Sequence, residues 1–453
     1  LSTVIFATHL SKSFFRPLVI LVKGLIRALA SFLAFFEIWP VSLAIAASIA
    51  DEKLLPLAFK VILCFGLLRW LFQGRFSIRT PVDGAIGLLL LTLPLTFLTT
   101  SHPEITRPQV YRLLTGIALC YTIVNWATSP ARLRFLATGM TLTGLAFALG
   151  ATKSVIWMGN KFPFLPPSLY SHFSQSAPDT VNPNVMAGYL VIIFPLPLAL
   201  LLLGWRKNGW FLGPFALLAP PPMLLILVLT QSRGALTALL TVFIVLGTLL
   251  LRHWRVSWLN IVFLGINLLL LAQRPEVGQL WNTLTNNQQF AGDITRRVEI
   301  WAHALLILQH FPFALTGVGM GTFEPVATQL APFVTIVPSE APHAHNLFLQ
   351  IAVDLGIPGL VAWLAVLLLV IVAAWRVSQI GLAQNDGWLR GLGCGLLCSQ
   401  VALIVHGFTD AVTWGMVRPA PLVWALWGLA LASWQVAKTA PCSSKPKPNF
   451  PAA

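Results

Sequence analysis

The chain alternates long apolar runs with short polar breaks. Runs near 28–50, 54–73, 82–100, 109–127, 133–157, 183–204, 209–229, 234–251, 255–272, 356–375, 388–408 and 416–437 are each long enough to cross the roughly 30 Å hydrocarbon core as a helix. The pattern predicts an all-α polytopic membrane protein of about twelve transmembrane helices. Most connections are short, but two are not: one runs from about Gly159 to Asn182, the other from about Gln273 to Asn346. The second exceeds seventy residues, too long for a structureless link. Within it Ile294, Val298, Trp301, Leu305 and Leu308 recur at helical spacing, which predicts an amphipathic helix over Asp293–His310 lying along the membrane surface. Gly317, Gly319 and Gly321 then predict tight turns. No strand precedes them and no βαβ unit encloses them, so a nucleotide loop is not indicated. Pro195, Pro197 and Pro220 to Pro222 interrupt apolar runs and read as kinks.

Composition agrees. Of 453 residues 57% are hydrophobic and 9% charged, against about a quarter charged in soluble domains. The net charge of +15 raises nucleic acid as a partner, but its distribution does not form one basic stripe. Lys12, Arg16, Lys23 and Arg27 precede the first run and Lys438, Lys445 and Lys447 follow the last. Between them Arg69, Arg75, Arg79, Arg132, Arg134, Arg206, Lys207, Arg252, Arg255, Arg376 and Arg390 fall on every second connection. That is the positive-inside pattern, and it predicts both termini on the cytoplasmic side of a bacterial inner membrane, with no nucleic-acid partner. The two long connections then face outward. Cys64, Cys120, Cys394 and Cys398 fall inside predicted spans and Cys442 in the tail, so no external disulfide is expected.

Polar residues on the outer side need a reason, since each is costly near lipid. Arg233, in Thr230-Gln231-Ser232-Arg233-Gly234, interrupts an apolar stretch from Leu212 to Leu251 and must sit at an external turn. Arg296 and Arg297 open the amphipathic helix, on different faces. His343 and His345 stand just before the tenth span; an imidazole titrating near 6.5 suits proton transfer from a hydroxyl. Each has a plainer reading, as an interfacial turn arginine, a headgroup contact or a surface histidine. A metal is not expected: His-x-His offers two ligands at most, and no acidic cluster or DxD accompanies it.

Together the twelve-span layout, the long loop, QSRG at 231–234, RVEIW at 297–301, GVGMGTF at 317–323 and HNLFLQIAVDLGIPGL at 345–360 resemble the O-antigen ligase family of lipid-linked glycan ligases and polymerases. Asn182-Pro183-Asn184 before Met186-Ala187-Gly188-Tyr189-Leu190 is similar to the family's opening of its sixth span. His345-Asn346, nine residues, then Gly356-Ile357-Pro358-Gly359 is the most specific match. The C-terminal His406-Gly407-Phe408-Thr409-Asp410, with Trp414, Arg418-Pro419 and Trp424, is similar to a cyanobacterial branch labelled bicarbonate transporters. A metal-independent, cofactor-free, inverting glycosyltransferase and a small-solute transporter therefore compete on one scaffold.

The ligase resemblance implies a glycan donor on an isoprenoid pyrophosphate and a lipid, glycan or protein acceptor, brought together at the bilayer. Arg233 and Arg297 would bind the leaving pyrophosphate and His345 would activate the acceptor hydroxyl, with Arg296, His343 and Asn184 as substrate-binding candidates. A transporter instead needs ionisable groups and broken helices at mid-membrane, where Glu37, Lys60 and Asp354 are the main candidates. The expected layout is a cytoplasmic segment 1–27, spans one to nine over 28–272, an external loop domain 273–345, spans ten to twelve over 346–437 with a ligase-like core of about 183–410, and a disordered tail 438–453.

Overall fold

A computed structural model describes residues 20–157 apart from 23, 27, 30, 31 and 34, then 165–173, 180–205, 209–250, 288–330, and 341–439 without Met416. Helices dominate and no β-strand occurs among the described residues, so the protein is an all-α polytopic membrane protein. Every apolar run falls on helix except 255–272, which lies outside the described residues, as do most of 1–27, the tail beyond Thr439, and loop residues 273–287 and 331–340. Seven described helices are long and apolar enough to cross a membrane, and shorter apolar helices include Ile38–Ala50 and Asp83–Thr99.

In chain order the first half holds α1 (Ile38–Ala50), α2 (Leu55–Gln73), α3 (Asp83–Thr99), α4 (Pro103–Trp126) and α5 (Pro130–Ser154). Proline divides the next two runs. The sixth run is split at Phe194 into α6 (Pro183–Ile193) and α7 (Pro195–Gly204), the seventh at Ala219 into α8 (Gly209–Leu218) and α9 (Pro220–Leu229). A proline ring cannot donate to the ladder and crowds the preceding turn, so the kinks fall where expected. The chain continues through α10 (Arg233–Leu250), the loop helices α11 (Gln288–Gln309), α12 (Phe313–Thr316) and α13 (Phe323–Leu330), and then α14 (Leu347–Ala383), α15 (Gly387–Gly407) and α16 (Pro421–Thr439).

α15 is the core of the bundle, packed by α14, α7 and α10. It is apolar on all sides and buried along nearly its whole length. Small residues make this possible: a Cβ on Gly393 would collide with the backbone of Ser378 in α14. In a membrane such close approach replaces the hydrophobic drive that water supplies elsewhere. Cys394 and Cys398 are buried, unbridged packing residues in that helix.

Two elements depart from the sequence pattern. The amphipathic helix forms as α11, but its buried side is Ile300, His303, Ala304 and Ile307, while Leu305 is half exposed. The buried side meets protein, in a cluster with Val318, Phe323 and Val353, so α11 lies against α14 rather than merely on the bilayer surface. The tenth span also starts before Gly356. Asn346 Oδ1 accepts from the amides of Phe348 (3.0 Å) and Leu349 (3.1 Å), starting α14 a full two turns early. Gly356 then breaks it at φ 74°, ψ 174°.

The basic connections gather at one end of the bundle: Gln435 bonds Arg79 O, Arg390 bonds Leu249 O, and Arg134 lies over the Trp388 ring. Glu52, Thr100, Asn182, Gly319 and Arg418 belong to the opposite end.

A Cβ at Gly356 would collide with the Leu315 carbonyl, on a backbone that L residues rarely adopt. Gly356→Ala is expected to cost more than about 1 kcal/mol, read as a lower unfolding temperature of the detergent-solubilised protein, whereas Gly139→Ala, with open space around it, leaves that temperature unchanged.

Candidate active site

The site is built on the loop at the start of α14. Gln350, one turn inside the helix, reaches back to accept from Ala344 N (2.8 Å) through Oε1 and donates to Asp354 Oδ1 (2.8 Å) through Nε2. This pins the strap His343-Ala344-His345. His345 takes a left-handed φ of 47°, an unusual geometry for a non-glycine residue and one that clusters at functional sites. The consequence is that both imidazoles turn the same way, with ring centroids 4.1 Å apart.

They meet Asp410, just beyond α15. Its Oδ1 lies 3.7 Å from His343 Nε2 and 3.8 Å from His345 Nδ1. Asp410 N and Thr409 N both bond to His406 O (3.0 and 2.9 Å), which wraps this loop tightly over the helix end. Asp410 is buried, as is His406. Burial alone would raise the Asp410 carboxyl, but the facing His345 ring and the fields of His343 and His406 outweigh it and hold it well below the usual carboxylate range. Asp410 is therefore the fixed anion of the site.

Two arginine segments border it. Burial pushes His343 down to about 4, opposed by Asp410 and reinforced by His345 and Arg297, which puts the Arg297 guanidinium within electrostatic reach of the histidines. Arg233 opens α10, and a Cβ on the following Gly234 would collide with Thr409 Oγ1. The turn bearing Arg233 is thus pressed against the Asp410 loop. Asn184 lies on α6 one turn before Gly188, whose own face meets His406 and Val412, so helical register directs it toward the same region. Arg296 is on α11, but its side chain lies outside the described residues. Asp410 is not among the site residues that the sequence singles out; its only signal there is its place in the His406 to Asp410 motif.

Asp410 also corrects the count of metal ligands. His343, His345 and Asp410 form a trio with ligand atoms within 4.8 Å of one another, so the strap does not stop at two. Hydrogen bonding nonetheless argues for a different use. His343 Nδ1 accepts from His345 N (3.1 Å), so in the neutral ring the proton sits on Nε2 and faces Asp410 as a donor, with no lone pair left for an ion. The neighbouring Arg297 charge opposes a cation as well.

The structure is that of a multi-pass membrane protein in which His343, His345 and Asp410 meet at one end of the bundle, beside the turn that bears Arg233 and within reach of the Arg297 charge. Residues 222–364 match the family model for O-antigen ligase, which supports a membrane enzyme of the ligase or polymerase type. That segment includes Arg233, Arg297, His343 and His345 and ends before Asp410. No curated protein matches the chain.

The His343 position sets a pH dependence. Between its folded value of about 4 and the ordinary 6.5, the unfolded chain takes up a proton that the folded chain does not. Stability is full above that window and falls as pH drops through it, by roughly 3 kcal/mol. Thermal unfolding in detergent from pH 7 to pH 4 is expected to show this decline, and His343→Gln to show a shallower one; parallel slopes would remove His343 as its source.

Proposed function

We propose that the chain transfers a glycan from an isoprenoid pyrophosphate carrier to an acceptor hydroxyl of a lipid, glycan or protein, on the outer face of a bacterial inner membrane. The reaction needs no metal and inverts the sugar carbon. One observation carries this reading: the buried Asp410 carboxylate lies within 4 Å of two imidazole nitrogens, on a loop pressed against the turn that bears Arg233. The positive-inside pattern puts the basic end in the cytoplasm, with both ends of the sequence, and this site outside.

Each residue has a task. Arg233 and Arg297 hold the pyrophosphate, since a guanidinium is permanently charged and makes paired hydrogen bonds to phosphate oxygens. Charge builds on the leaving oxygen as the glycosidic bond breaks, and donors fixed in a partly dry cavity stabilise it more than water does. His345, with 26% of its side chain exposed, takes the proton of the attacking hydroxyl. Asp410 Oδ1 stands 3.8 Å from the other ring nitrogen, Nδ1, and its charge favours the tautomer that leaves Nε2 basic, the role a carboxylate has in a Ser-His-Asp triad. His343, neutral, completes the wall, while Asn184 and Arg296 contact the donor at the rim. The described loop helices α11 and α13 border this site, within the ligase-like core of about 183–410 that this reading assigns.

Direct attack opposite the pyrophosphate accounts for inversion. The transporter alternative asks for a substrate site at mid-membrane. Asp354, the acid best placed for one, already accepts from Gly321 N (3.1 Å), Gln350 Nε2 (2.8 Å) and Trp414 Nε1 (2.8 Å), which is a structural assignment.

In a reconstituted assay with a lipid-linked glycan donor, Arg233→Ala, Arg297→Ala and His345→Ala are each expected to lower turnover at least about a hundredfold. Lysine at either arginine position restores only part, because it keeps charge without the planar fork. Full transfer by all three alanine variants at normal membrane expression would sink the assignment. A chelator should leave turnover unchanged, and loss restored only by a divalent ion would overturn the metal-free account.

A further inference from the structure

A second polar opening stands at the same end of the bundle and takes no part in the site above. A cavity of about 700 Å³ is bordered by Glu52, Arg112, Ser154, Asn182, Tyr189 and Arg418. Below it lies a trough of about 520 Å³ with an almost wholly apolar lining, including Trp39, Leu119, Phe135, Met140, Leu422 and Leu429. The two linings share Ile49, Ala146 and Phe147, so the trough adjoins the cavity, a composite passage between α1, α4, α5 and α16. Along α5 its lining runs from Phe135 to Ser154, about 28 Å at 1.5 Å per residue, which is nearly the depth of the hydrocarbon core.

The mouth is cationic. Arg112 is buried, pairs with Glu52 and donates from Nη1 to Gln109 Oε1 (2.9 Å) and Gly415 O (2.8 Å). Arg418 donates from Nη1 to Ala50 O (3.0 Å). Two guanidiniums thus face one carboxylate among the charged residues lining the opening. An apolar trough of membrane depth under a net positive mouth matches one chemistry, an anionic headgroup with a long hydrocarbon chain.

α6 separates this passage from the candidate active site. Tyr189 lines the cavity and donates to Val412 O (3.0 Å), while the adjacent Gly188 faces His406 on another side of the helix. A donor pyrophosphate seated here would be held away from His345. We infer that the passage is a seat for an anionic glycerophospholipid, with its phosphate between Arg418 and Arg112 and one acyl chain in the trough between α1 and α5. This holds whether or not the transfer reaction is the one proposed.

Two glycines give a clean test. Gly139 in the trough and Gly150 at the mouth have open space where a Cβ would stand, so a leucine there fills the passage without disturbing the packing. The full chain, delipidated in detergent, is titrated with phosphatidylglycerol or phosphatidylcholine and bound lipid is counted by native mass spectrometry. The unaltered protein is expected to hold one phosphatidylglycerol at least about tenfold more tightly than phosphatidylcholine. Gly139→Leu with Gly150→Leu should remove that binding while the size-exclusion profile is kept, and Arg418→Gln should abolish the preference between the two lipids. Equal binding of both lipids, or retention unchanged in both variants, overturns the inference. So does displacement by an isoprenoid pyrophosphate that phosphatidylglycerol cannot match, since the seat would then be the donor's. Loss of glycan transfer in Arg297→Ala with lipid binding intact separates a failure of one reading from a failure of the other.

Discussion

Asp354 sits where α14 breaks, and most of the site's geometry can be traced to its four hydrogen bonds. Its backbone carbonyl accepts from Thr96 Oγ1 (2.6 Å), fixing α3. Its carboxylate takes Gly321 N from the glycine turns, Gln350 from its own helix and Trp414 from the loop after α15. Gln350 in turn holds Ala344, between the two histidines, and Trp414 lies four residues beyond Asp410. One buried carboxylate therefore positions both the imidazole strap and the anion it faces. A polar group so far from water is costly unless fully satisfied, and here each partner also fixes a segment. The break at Gly356 is what makes room: Gly317 and Gly356 each press against the other segment's backbone, so neither accepts a side chain.

That arrangement explains how a chain with 9% charged residues sustains a charged centre at the membrane boundary. Asp410 is buried beside His343, His345 and His406, and the Arg297 charge acts on two of those rings. The low His343 value stems from the same geometry: with the ring buried and cationic charge nearby, a second proton is unwelcome, and the ring serves as a neutral donor. His345 differs by being more open, 26% exposed against 11% for His343. Two histidines two residues apart thus hold different environments although both rings face Asp410.

Local chemistry makes much of this legible in the sequence. Most of the apolar runs among the described residues, the proline kinks at Pro195 and Pro220 and the turns at Gly317 to Gly321 depend on side-chain type within a few residues and stand where the pattern puts them. Arg233, Arg297, His343 and His345 stand out by their cost on the outer side, but only resemblance suggests their roles, since an interfacial arginine and a phosphate-binding one have the same local signature. Asp410 shows in the sequence only as the end of the His406 to Asp410 motif, because its partner histidines lie more than sixty residues earlier and nothing local marks the pairing. For the same reason counting ligands within His-x-His gives too few. The α11 stripe is misphased: Leu305 fits the helical repeat, yet contacts with Val318, Phe323 and Val353 select the neighbouring face. Periodicity defines an apolar side, whereas tertiary contact decides how it is turned.

The two openings at one end of the bundle are related by α6, and its sequence shows why they stay apart. Gly188 lets Val412 and His406 approach on one side, and Tyr189 fills the other while its hydroxyl ties the helix to the same Val412 carbonyl. A larger residue at 188 would push the 406–412 segment away from α6, and a smaller one at 189 would open the wall between the cavity and the candidate active site. Adjacent residues of opposite size on one helix therefore keep two cationic openings separate. Without that wall, Arg112 and Arg418 would add their fields to Arg233 and Arg297 around a single anion. In the two readings proposed above, the wall gives each pair of guanidiniums its own phosphate, one on a retained lipid and one on a carrier that leaves.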